Sequence, residues 1–218
     1  MTDVSLAEEV FLLAYDDDGV ARGTGQHLDF GLAGALLLEL ALAGRIDVVG
    51  RHVAVVDPTP TGDAPVDAVL RRIGSDRTPR RPKDWVSRLA KGARAPVLRR
   101  LIAAGVLRQE TDKVLWVFSL TRYPARDGVE PAAETDARSR MRAAVTGTGP
   151  VDPRTAALCG LVSALGWDKR VFPGLPRAQV TARLQEIRQG SWAPEAVKKA
   201  IEDVQAAMTA ATVAAAAS

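Results

Sequence analysis

The chain has 218 residues, 47% of them hydrophobic, which is enough to bury a core without disulfides. Its one cysteine, Cys159, cannot close an internal disulfide, and with only His27 and His52 beside it the composition argues against a structural zinc site. The net charge of +3 hides an asymmetry: residues 1–70 carry Arg22, Arg45 and Arg51 against twelve acidic groups, a balance of −9, whereas residues 71–100 carry eleven basic groups against Asp76 and Asp84, a balance of +9. A block of that density needs a polyanion, an acidic partner or water to face.

The start, Met1-Thr2-Asp3, has neither the basic flank nor the apolar run of a secretory signal. The longest apolar segment, Phe30 to Ala43, is fourteen residues with Glu39 inside it, too short to cross a bilayer. The expectation is a cytoplasmic protein, and arginine outnumbering lysine 23 to 6 points to a GC-rich bacterial genome.

Ser5-Leu6-Ala7-Glu8 has the spacing of a capping box, so a first helix is expected from there, with Leu6, Val10 and Leu13 on one face and its end by Asp16. Asp16-Asp17-Asp18-Gly19 reads as a solvated turn, because a calcium loop would need a distal Glu that is missing. Phe30 to Ala43 is apolar on nearly every side and stops at Gly44-Arg45, which predicts a central buried helix with Gly44 as its left-handed cap. Glu39 within it, a lone acid with no evident catalytic partner, is expected to be a structural hydrogen-bonder.

Ile46 to Val56 alternates around Gly50-Arg51 and predicts a β-hairpin with His52 on its polar face. A loop from Pro58 to Pro65 leads to a short helix from Val66 to Ile73, and a basic loop from Ser75 to Pro82 leads to helices at Asp84–Ala90 and Pro96–Ala104, the latter closed by Gly105. A second hairpin is predicted from Val106-Leu107, turning at Thr111-Asp112-Lys113 into a strand from Val114 to Leu120. Alternation along that strand would put Leu115 and Val117 on one side and Val114, Trp116 and Phe118 on the other, both apolar. Further helices are expected at Ala132–Val145, Pro153–Leu165 capped by Asp152, Pro176–Arg188, and Pro194 to about Ala211, with residues 212–218 fraying. The fold class expected is mainly α, a single domain over residues 1–218 around the central apolar helix, with two small β-hairpins.

Little here speaks for an enzyme. Nucleophile elbow, Walker loop and dinucleotide loop are all absent, no acid and base stand at a recognisable spacing, and no cofactor or metal is expected. Gly31-Leu-Ala-Gly34 is better explained by close helix packing. The basic block is the informative feature, since guanidinium groups suit bidentate phosphate binding. Arg88, Lys91 and Arg94 are spaced by three, which on a continuous helix would share a face, although Gly92 interrupts the sequence there. The plain alternative is a solvated face neutralised by the acidic first seventy residues. A winged helix-turn-helix reading, with the basic block on DNA, fits a helix followed by Gly105-Val106-Leu107 and a hairpin. Against it, bulky apolar residues near the hairpin tip suit lipid better than a DNA wing.

Leu6-Ala-Glu-Glu-Val-Phe-Leu-Leu13, Gly31 to Arg45, the Trp85 helix, Gly105-Val106-Leu107 and the hairpin after it resemble, in this order, the Golgi phosphoprotein 3 family. The resemblance implies a single helical domain and a peripheral membrane protein that recognises phosphatidylinositol 4-phosphate, with eukaryotic members acting as Golgi adaptors for glycosyltransferase tails. It implies an anionic phospholipid surface as the partner, no nucleic acid, and a protein partner the sequence does not name. The family's pocket tryptophan falls on Thr24 and its helix arginine on Ala33, so both are replaced, while its downstream basic pair falls on Lys91 and Arg94. Headgroup contacts are therefore expected from Lys91 and Arg94, with Arg88 beside them and Arg22 standing in for the lost arginine. The hairpin around Lys113 is expected to insert into the membrane through Leu115 and Trp116.

Overall fold

A computed structural model describes residues 4–15, 19, 25–114, 118–190 and 195–216. Among these, helices dominate and the strands form two separate antiparallel pairs. Helix α1 (Leu6–Ala14) starts at the expected capping box: the Glu8 amide donates to Ser5 Oγ, and the Glu8 carboxylate accepts from the Ser5 amide at 2.8 Å. Every residue of α1 is buried.

Helix α2 (Gly25–Leu42) is the centre of the molecule, with Leu32, Leu37, Leu38 and Leu40 fully buried. Each such side chain stabilises the fold by roughly 1.5–3 kcal/mol relative to exposure. Gly34 permits a close crossing, because a Cβ there would collide with Met208 of the last helix, and that contact answers the expected packing role of Gly31-Leu-Ala-Gly34. Gly44 at φ 66° ends the helix, with the Arg45 amide donating to the Leu40 carbonyl at 2.8 Å.

Strands β1 (Ile46–Val49) and β2 (His52–Val55) pair antiparallel from Ile46↔Val55 to Val49↔His52 around Gly50-Arg51, as expected. Helix α3 (Ala64–Ser75) is capped by the Asp63 carboxylate on the Val66 amide at 3.0 Å. Helices α4 (Pro82–Ala90) and α5 (Arg94–Ala103) follow, and Trp85, Val86 and Leu89 bury the inner face of α4.

The second hairpin is where the expected register fails. Strand β3 is Glu110–Val114 and β4 is Phe118–Arg122, so Thr111, Asp112 and Lys113 are strand residues opposite Thr121, Leu120 and Ser119. The turn expected at Lys113 therefore does not exist, and Val114–Leu120 is not one strand. The paired Thr111 and Thr121 support the observed ladder. Leu115, Trp116 and Val117 lie outside the described residues.

Helices α6 (Ala132–Thr146), α7 (Pro153–Ala164) and α9 (Arg177–Gln189) stand where the periodicity puts them, with Asp152 capping α7 through the Thr155 amide at 2.9 Å. The short α8 (Asp168–Val171) was not foreseen, and α10 (Glu195–Ala216) runs past the expected end at Ala211, with Thr212 buried and its hydroxyl donating to the Ala164 carbonyl at 3.3 Å. Helices α1, α3, α4, α7 and α10 all pack on α2, so the core surrounds one buried helix.

Candidate anion-binding site

The basic segment 71–100 folds into the end of α3, a loop, α4 and the start of α5. Helix α4 stops at Lys91, and the Gly92 amide donates back to the Leu89 carbonyl at 3.1 Å before α5 begins at Arg94. Arg88, Lys91 and Arg94 are thus not on one continuous helix. Arg88 extends toward Asp76, 3.9 Å away, while Arg94 reaches across to α2.

Arg94 is held there by specific bonds. Its Nε donates to Asp29 Oδ1 at 3.0 Å and its Nη2 to the Gly25 carbonyl at 2.5 Å, yet a third of the side chain remains exposed. A Cβ at Gly25 would approach Nη2 to 3.0 Å, so a residue without a side chain suits this contact. Burial pushes the Asp29 carboxyl above its ordinary range, and Arg94 opposes that shift. Lys91 is exposed at the end of α4 and makes no ion pair among the described residues.

Tyr15 connects this corner to the second hairpin. Its ring stacks on Phe11 at 4.6 Å between centroids and meets Tyr123, just beyond β4, edge-on at 5.9 Å. Burial raises the Tyr15 hydroxyl's pKa, with Arg94 acting against the shift and Asp29 with it, so the base of the hairpin and Arg94 are electrostatic neighbours.

The alternative reading, neutralisation by the acidic first seventy residues, describes part of the block. Arg100 pairs with Glu8 at 3.1 Å and with Asp63, Arg94 pairs with Asp29, and Arg80 pairs within the block with Asp76 at 2.6 Å. Arg71, Arg72, Arg77 and Arg81 are exposed without an ion pair among the described residues, as are Lys83 and Arg99. On α4, Lys83, Ser87 and Arg88 share the exposed side with Lys91 beyond the last turn.

The remaining expected positions divide in two. Ala33, where the resemblance would want an arginine, is wholly buried in α2. Arg22 and Thr24 lie outside the described residues, as do Leu115 and Trp116.

A buried charge cluster that the sequence does not announce lies beneath α1. Glu9 is 5% exposed and meets Arg140 at 2.5 Å and Arg154 at 3.5 Å; Arg154 also binds Glu39 at 2.8 Å and the Val4 carbonyl, and Arg140 donates to Thr155 at 2.8 Å. Glu39 accepts the Leu6 amide at 2.6 Å, the structural role expected for it. The only sequence signal was Glu39 itself inside an apolar helix. No group of three or more metal-ligating side chains gathers among the described residues.

The Golgi phosphoprotein 3 (GPP34) family model matches residues 6–204. The chain belongs to this family. It is also 29% identical over 150 residues to the vacuolar protein sorting-associated protein 74 of Eremothecium gossypii, an alignment covering 57% of this chain and 44% of that protein. The chain therefore spans less than half the length of that curated relative. For a member of the Golgi phosphoprotein 3 family, the arrangement offers an exposed basic face on α4 beside a tethered arginine at the mouth of α2.

Proposed function

We propose that this protein is a non-enzymatic peripheral membrane protein that binds anionic phospholipid, a phosphoinositide such as phosphatidylinositol 4-phosphate being the headgroup its family membership favours. The observation that carries this reading is the exposed basic face of α4 and its flanks, left largely without acidic partners among the described residues. A family named for a Golgi phosphoprotein and a relative named for vacuolar protein sorting point the same way, toward membranes. Among the described residues no helix is long and apolar enough to cross a bilayer, so attachment in this reading is at the surface.

Lys91 and Arg94 are the headgroup contacts in this proposal, with Arg88 and Arg22 contributing charge. Arg94 is pre-oriented by Asp29 and Gly25, which lowers the ordering cost of binding, and its Nη1 has no hydrogen bond among the described residues. Leu115 and Trp116, between β3 and β4, are the proposed anchor into the interface, where Trp settles readily. Attachment from the cytoplasmic side follows from the same reading.

Flotation with vesicles of phosphatidylcholine alone, with added phosphatidylserine and with added phosphatidylinositol 4-phosphate, run beside binding to a nonspecific DNA duplex, tests the proposal. The expected result is flotation with both anionic compositions and only weak retention of DNA. Trp116→Ala should reduce flotation while leaving the melting temperature nearly unchanged. Tight DNA binding without flotation would overturn the proposal in favour of the winged-helix alternative.

A further inference from the structure

Arg51 is the only residue other than glycine with positive φ among the described residues, at 72°, directly after Gly50 at 53°. A turn with two such positions suits asparagine and glycine, and a long L side chain there is strained. Strain kept in place points to a use for the side chain.

Arg51 lines a cavity of about 310 Å³ together with Arg81 and Lys83; Ala207 and Ala210 of α10 also line it, and Asp203 is the acidic residue in its wall. Arg51 comes from the turn of the first hairpin, Arg81 and Lys83 from the start of α4, and local bonds hold the two backbone segments together. The Val53 amide of β2 donates to the Arg80 carbonyl at 2.8 Å, tying the hairpin to the loop before α4. Within that loop Asp76 accepts from the Thr78 amide at 2.9 Å and from Arg80 Nε at 2.6 Å, and Asp84 accepts from the Arg81 amide at 3.2 Å as α4 begins. Those bonds, Arg80 first, hold the Asp76 carboxyl below its ordinary range.

Arg51, Arg81 and Lys83 are exposed and make no ion pair among the described residues. Three cations against Asp203 leave a surplus of two positive charges, the complement of a dianion. Guanidinium groups present paired donors that match phosphate oxygens, and the alanine methyls leave room beside them for the carbon skeleton that carries the phosphate. The cavity is at the opposite end of α4 from Lys91, on the order of 13 Å away at the rise of an α-helix.

We propose that this cavity is a second anion site, which binds a phosphomonoester through Arg51, Arg81 and Lys83. The phosphate can be borne by a soluble metabolite or by a lipid headgroup, and the chemistry of the site is the same for both. The site does not depend on the membrane reading above, because a soluble probe reports on it alone.

The experiment titrates the full chain with glycerol 3-phosphate and with inorganic phosphate, following backbone amide resonances. Wild type should show saturable shifts at Arg51, Arg81 and Lys83. Arg51→Gly is the informative variant, since glycine accepts the turn's φ: affinity should fall about tenfold while the melting temperature stays level or rises. Arg81→Ala with Lys83→Ala should abolish the shifts at Arg51. Vesicles carrying phosphatidic acid, compared with phosphatidylglycerol at equal charge, identify the source. Weaker flotation of Arg51→Gly on phosphatidic acid supports a lipid-borne phosphate, and unchanged flotation alongside lost glycerol 3-phosphate binding supports a soluble one. Shifts absent from these residues, or equal affinity in folded Arg51→Gly, would overturn the proposal.

Discussion

Arginine serves two regions of this molecule in opposite ways. Beneath α1, Arg140 and Arg154 converge on Glu9, itself 5% exposed, and with Glu39 they join α1, α2, α6 and α7. Along α4 and its flanking loops, Arg77, Arg81, Lys83 and Lys91 stand in water, unpaired among the described residues. The first group holds the fold together, because each buried charge there must find a partner. The second is not used up by the fold and is free to meet an anion. Counting charges along the chain cannot separate these roles, since the acidic surplus of the first seventy residues is partly met by arginines more than a hundred positions away.

The contrast is broken most severely by placing an arginine where no acid waits for it. Ala33 is wholly buried, and Ala33→Arg should cost about 4 kcal/mol or prevent folding. Urea unfolding checks this. A variant as stable as wild type would mean that the α2 interior opens to water on that side, as a pocket built on an arginine there would require.

Removing a partner from the buried cluster comes next in size. Arg154→Ala leaves Glu39 and the Val4 carbonyl without their guanidinium and should lower stability by about 2 kcal/mol, discounted because Arg154 is itself 29% exposed. Removing Arg77, which makes no ion pair among the described residues, should change stability by no more than about 0.5 kcal/mol. Similar losses for the two in chemical denaturation would erase the distinction between the regions.

Much of the fold was legible because its signals are local. Ser5 and Glu8 are three residues apart, Gly44 lies two residues past the end of its helix, and Gly50-Arg51 sits inside its own hairpin. The second hairpin misled because Val114 to Phe118 is apolar enough to resemble a strand, and Thr-Asp-Lys resembles a turn, whereas the cross-strand pairing from Glu110↔Arg122 to Val114↔Phe118 sets the register. The charge cluster was illegible because Arg154 and Glu39 are 115 positions apart, and nothing near Glu39 names its partner. The candidate site was legible in its charge but not in its geometry. Sequence spacing grouped Arg88, Lys91 and Arg94, and the helix break at Lys91 sends Arg88 to Asp76 and Arg94 to Asp29.

Burial raises the Glu9 carboxyl above its ordinary 4.5, and Arg154 and Arg140 only partly offset this. The native state therefore keeps the Glu9 proton at pH values where the unfolded chain has released it, so the contribution of Glu9 to stability falls as pH rises through the window above 4.5. A carbon-detected titration of the Glu9 carboxyl should place its midpoint above that value. A midpoint at or below it would show the arginines outweighing burial.

In the proposed function the exposed basic face, rather than the buried charges, meets an anionic membrane. Flotation of Lys91→Ala with Arg94→Ala on vesicles containing phosphatidylserine or phosphatidylinositol 4-phosphate tests it most directly. Each basic group near such a surface contributes on the order of 1 kcal/mol, so the double variant should bind roughly tenfold or more weakly while remaining folded. Equal flotation by a folded double variant would contradict the claim.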